Sequence, residues 1–125
     1  MAQLYEFDVS SSYQIRCNLL EESGVAVWDV LHDCVRPGSL DSAIERSSEV
    51  SNDFTALFAA NTSISRVIFN GAAAYAIFKR HNKLLLEQLA KQRDDFKWEC
   101  CPSTSPAHAS MSKHDKLLVW RNAVE

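Results

Sequence analysis

Arg66-Val67-Ile68-Phe69-Asn70-Gly71-Ala72-Ala73-Ala74-Tyr75-Ala76-Ile77-Phe78 is the stretch on which the fold turns. Its first five residues read as a short strand with an apolar centre, closed by Gly71. From Ala72 the period changes, and Ala74, Ile77, Phe78, His81 and Leu85 fall on one helical face. Toward the N-terminus, Val25-Ala26-Val27-Trp28-Asp29-Val30 is nearly continuous in apolar residues and suits a strand buried on both faces, with Trp28 in the core. Toward the C-terminus, Phe96 to Cys101 is a third strand, ended by Pro102. Helices are expected at Tyr13 to Glu22, closed by Ser23-Gly24, and at Phe54 to Ala60. Ser112 with Asp115 starts a last helix through Leu117, Leu118 and Trp120. The pattern leaves open whether Asn82 interrupts the helix before Leu84. Strands alternate with helices, so an α/β domain of parallel strands with helices on both faces is expected. Ligands in such sheets bind outside the carboxyl ends of the strands. Asp29, Asn70-Gly71 and the loop from Pro102 to His108 all fall there.

The 125 residues suit one domain spanning 1–125, and 46% hydrophobic with 23% charged residues is a globular balance. No apolar run approaches the roughly 20 residues of a membrane span, and Met1 to Ser10 lacks a signal-peptide pattern. A cytoplasmic protein without a membrane partner is expected. The net charge of −3 argues against nonspecific nucleic-acid binding. Its distribution points the other way: residues 1–65 carry three Lys/Arg against ten Asp/Glu, and residues 66–125 carry ten against six. Such asymmetry reads either as a side facing a polyanion or as helix faces that happen to differ. Cys17, Cys34, Cys100 and Cys101 lack metal-ligand spacing, as do His32, His81 and His114, so no metal is expected. Cys17 and Cys101 read as small core residues.

Five segments stand in order: Gly24 to Val30, Arg36-Pro37-Gly38-Ser39-Leu40-Asp41 through Ile44, Asn52-Asp53-Phe54, Val67 to Gly71, and Pro102-Ser103-Thr104-Ser105-Pro106-Ala107. Together they resemble the hypoxanthine-DNA (deoxyinosine) glycosylase branch of the uracil-DNA glycosylase superfamily, from about Tyr5 to Trp120. The resemblance implies a three-layer α/β/α sandwich with a mainly parallel central sheet. It implies a protein that flips a deaminated base, hypoxanthine or uracil, out of DNA and hydrolyses its N-glycosidic bond without cofactor, as a monomer.

The resemblance also implies site residues. Asp29 stands where the superfamily carries the residue that hydrogen-bonds the flipped base; a carboxylate accepts the N1–H of hypoxanthine or the N3–H of uracil. The plainer reading is a cap on the following turn. Pro102, Ser103, Thr104, Ser105, Pro106 and Ala107 correspond to the DNA-binding loop, with hydroxyls and N–H groups for phosphate and two prolines limiting its freedom. The plainer reading is a surface loop. His108 would assist leaving-group charge as the catalytic residue. Asn70-Gly71 opens a helix whose free N–H groups suit a DNA phosphate, or else simply punctuates strand and helix. Arg36, Ser39 and Asp41 match the branch without an independent chemical role.

The branch normally starts with a further strand, a Gly/Pro loop and an aromatic-rich helix, which position the hydrolytic water. Met1 to Asp8 resembles the segment just after that helix, so the resemblance implies a domain shortened at its N-terminus, with no residue inheriting the water-activating role. Its missing strand would come from another chain or leave an edge open. Two other functions fit the same residues: a non-catalytic DNA-binding module, and an α/β domain that takes a small phosphorylated ligand.

Overall fold

The structure, a computed structural model, describes residues 1–39 and 43–125. Among them the order is α1 (Ala2–Tyr5), α2 (Tyr13–Glu22), β1 (Leu31–Asp33), β2 (Val50–Ser51), α3 (Phe54–Ala60), β3 (Arg66–Asn70), α4 (Ala72–His81), α5 (Leu85–Gln92), β4 (Lys97–Cys101) and α6 (Lys113–Val124). Local chemistry sets the helix starts. The Ser12 hydroxyl accepts the Ile15 N–H, the Asp53 carboxylate accepts the Ala56 N–H, and the Ser112 hydroxyl accepts the Asp115 N–H. Each cap satisfies an N–H that the helix cannot, and replacing such a residue by Ala costs about 1 kcal/mol. Asn82 does interrupt the long helical stretch. Its amide donates to the Phe78 carbonyl and to the Ser51 hydroxyl, and Leu84 follows at φ +62°, outside helical geometry.

The chain is mixed α/β. β3 and β4 pair in parallel, in register from Arg66 opposite Lys97 to Asn70 opposite Cys101. Strand side chains alternate between faces, so neighbours on β3 enter different clusters. Phe69 joins Phe54, Phe58, Phe78, Leu86 and Phe96, with Val67 and Trp98 packed alongside. Ile68 packs instead with Cys101, Trp120, Ala123 and Leu4. The first cluster rests on α3, α4 and α5, and the second on α1 and α6.

The expected strand at Val25 to Val30 is not formed. Residues 25–29 have no regular structure, and strand pairing in this stretch begins at β1, antiparallel to β2. Apolar β-branched residues become a strand only where a neighbouring strand takes up their N–H and C=O groups, and among the described residues no strand runs alongside residues 25–29. Val27 is 70% exposed and Trp28 58%, which corrects the expectation of a core tryptophan; Val30 alone of the run packs on the first cluster. Cys17 is half-buried rather than in the core, whereas Cys101 is buried as expected. No helix among the described residues is long and apolar enough to cross a membrane.

A polar latch ties the segment before β2 to the end of α4. The Glu49 carboxylate is only 2% exposed, hydrogen-bonded to Arg80 and, at 2.6 Å, to His81 Nε2. Those two side chains are themselves 32% and 27% exposed, so the carboxylate is covered by a thin lid rather than sunk in the interior. Burial pushes its pKa up, but hydrogen bonds and charge from His81 and Arg80 hold it below the ordinary glutamate value. A carboxylate lowered on folding contributes stability that is full above the unfolded value and is lost as pH falls through the folded one. Glu49→Gln is therefore expected to lower stability near pH 7 by about 1–3 kcal/mol, the partial exposure of its partners keeping it under the cost of a fully buried pair. Urea midpoints measured down to about pH 3 check this: the gap between wild type and variant should narrow as the acid limb is crossed. An unchanged gap would assign the acid loss to other groups.

Candidate functional site

Because β3 and β4 run parallel, their carboxyl ends lie side by side, and the loop leaving β4 meets the turn leaving β3. The Gly71 N–H donates to the Cys101 carbonyl at 2.9 Å, extending the pairing by one step. Gly71 adopts φ +101°, and a Cβ there would stand 3.1 Å from the Ser103 Cβ. Only glycine permits both that backbone and that approach. Its N–H being engaged, the amides open at the start of α4 are those of Ala72, Ala73 and Ala74, which have no acceptor within the helix.

Asn70 does not point to solvent as a lone donor. Its Oδ1 accepts the Thr104 N–H at 2.9 Å, and its Nδ2 donates to the Thr104 hydroxyl at 3.0 Å. This two-bond clasp joins residues 34 positions apart. Two further ties come from α6: Trp120 Nε1 donates to the Pro102 carbonyl at 2.9 Å, and Lys116 Nζ to the Ser105 carbonyl at 3.1 Å. The loop is thus fixed at 102, 104 and 105 from both the sheet and the last helix.

Within the loop the hydroxyls have a common role. Ser103 Oγ accepts the Ser105 N–H, and Ser105 Oγ accepts the Ala107 N–H, both at 3.2 Å. With Thr104 accepting from Asn70, three consecutive hydroxyl oxygens each take an internal N–H. A hydroxyl that accepts still carries a proton to donate, and Thr104 and Ser105 are exposed. Pro106, Ala107 and His108 are also exposed, with His108 Nε2 at 3.3 Å from the Ser110 hydroxyl.

The structure joins two of the three strand-end features, Asn70-Gly71 and the loop. Asp29 belongs to the unpaired run. It is exposed, its carbonyl accepts from Asn52 Nδ2 at 2.7 Å, and Asn52 N–H reaches the next carbonyl, that of Val30. The Tyr13 phenol is pushed above its ordinary value, first by its interaction with Cys17 and in smaller part by the Asp29 charge. Of the 36–44 motif, Arg36 immediately precedes and Ser39 ends a short 3-10 helix, Pro37–Ser39, while Asp41 lies outside the described residues. The Cys101 thiol is pushed up to about 11 by burial and by the nearby Glu99 and Cys100, so it is not a nucleophile at neutral pH. Among the described residues no group of three His, Cys, Asp or Glu side chains is placed to hold a metal ion.

The amino-acid sequence gives no sign of a site role for Lys116 or Trp120. Their spacing of four puts them on one face of α6, which was legible. Their acceptors, carbonyls 11 and 18 residues earlier, were not. The chain matches no family model, no curated protein and no solved structure.

Proposed function

We propose that the chain is a DNA-repair protein of the glycosylase type, gripping the DNA backbone with the 102–108 loop beside a deaminated base. The observation that carries this reading is the row of three hydroxyls at Ser103, Thr104 and Ser105, each accepting an internal N–H with a proton left to donate. Phosphate oxygens only accept, so a row of donors on a loop pinned in advance suits a phosphodiester backbone. The clasp from Asn70 and the ties from α6 reduce what ordering would cost on binding. The first-turn amides of α4 add donors at the same strand ends. In this reading the β3–β4 pair with helices on either side is part of a three-layer sandwich. His108 lies at the loop end nearest the leaving group.

The test measures binding to a duplex carrying one inosine or one uracil, against the same duplex undamaged, together with base release. A poorly paired base costs less to unstack, so tighter binding to the damaged duplexes is expected. Equal affinity for all three would remove base reading and leave a backbone binder. Indifference to DNA, with a raised melting temperature in nucleotides or sugar phosphates, would favour a small phosphorylated ligand. Release of free hypoxanthine or uracil would assign the hydrolysis to this chain.

A further inference from the structure

The side chain of Lys116 occupies a position that the loop alone does not explain. It lies one turn before Trp120 on α6, and its ammonium reaches the Ser105 carbonyl at 3.1 Å. The Trp120 tie and the Asn70 clasp already fix the loop on either side of Ser103. An ammonium carries three donors, and the Ser105 carbonyl takes one. The other two, with a full positive charge, are held at the Ser105 backbone of a loop whose Thr104 and Ser105 are exposed. A neutral donor would have sufficed to hold a carbonyl; a cation here also attracts an anion.

We propose that Lys116 both positions the loop and contacts the DNA phosphate that the loop hydroxyls hold, making it the electrostatic anchor of the site. This rests on the DNA-binding function proposed for the chain. Neutralising one phosphate releases condensed counterions, so an anchoring lysine contributes to the salt dependence of binding as well as to its strength. A lysine that only braces the loop changes the strength alone.

The experiment titrates a duplex oligonucleotide at several salt concentrations with wild type, Lys116→Met, Lys116→Arg and, as a control on the distant α5 surface, Lys91→Met. Lys116→Met is expected to weaken binding roughly threefold to tenfold at low salt and to reduce the slope of log affinity against log salt by about one. Lys116→Arg should restore the slope, and Lys91→Met should leave it unchanged. Parallel salt plots for wild type and Lys116→Met would overturn the phosphate contact and leave a brace. An equal fall in slope for Lys91→Met would overturn the placement at this loop. Wild type that fails to bind DNA at any salt would overturn the DNA reading itself, a result visible before any variant is compared. If the methionine variant unfolds, Lys116→Gln, which keeps an N–H donor for the Ser105 carbonyl without the charge, keeps the test decisive: the phosphate contact requires the same fall in slope, and an unchanged slope would leave a brace.

Discussion

Phe78→Ala is expected to lower the unfolding free energy by about 3–5 kcal/mol. The ring is 2% exposed and stands at the centre of the larger core, 4.9 Å from the Phe54 ring and 5.0 Å from the Phe69 ring. Phe69 also meets Tyr75, and Phe54 meets Phe58, so the contacts of Phe78 bridge α3, β3 and α4. Truncation removes the transfer energy of most of the ring and leaves a cavity bounded by other rings that cannot close over it. Total stabilities of domains this size are about 5–15 kcal/mol, so the variant should approach the folding threshold. Denaturant titration followed by tryptophan fluorescence measures the effect. A loss under about 1 kcal/mol would mean that the aromatic cluster is not the cooperative core.

Trp120 is expected to give the second large effect, in two separable parts. It is 4% exposed in the smaller cluster, with Cys101 and Ala123, and its indole N–H holds the Pro102 carbonyl. Trp120→Ala should cost about 3–5 kcal/mol through lost packing. Trp120→Phe keeps most of the volume and removes the donor, leaving a carbonyl at the start of the loop without its partner. That loss is about 1–3 kcal/mol. The phenylalanine variant should also speed amide exchange at Thr104 and His108, whose N–H groups report the loop's closure. Exchange equal to wild type would show that the Asn70 clasp and Lys116 fix the loop unaided.

Much of the fold was legible because its signals are local. α6 was legible from the Ser112 cap with Asp115, and α2 from its helical spacing closed by Ser23-Gly24, while the caps at Ser12 and Asp53 emerge from the structure. β3 was legible from a short apolar run closed by a glycine that the geometry requires. The run at Val25 to Val30 looks like a strand by composition but is not one, because a strand exists only in company and composition does not reveal whether a neighbour arrives. Asn82 could not be decided because part of its anchoring, to Ser51, is tertiary. At the candidate site the loop residues announced themselves through proline and hydroxyl content. The engagement of Asn70 with Thr104 did not, because nothing in either residue names a partner 34 positions away.

The unpaired run gives the acidity of the first half of the chain a second meaning. Ala26-Val27-Trp28, after half-buried Val25, is an uncovered sticky ribbon, bracketed by exposed Glu21 and Glu22 before it and exposed Asp29 after it. Like charges at both ends of such a ribbon act as gatekeepers: two copies that approach ribbon to ribbon bring their carboxylates together first. The surplus of negative charge there works as a colloidal guard, holding neighbouring molecules apart where no strand lies alongside.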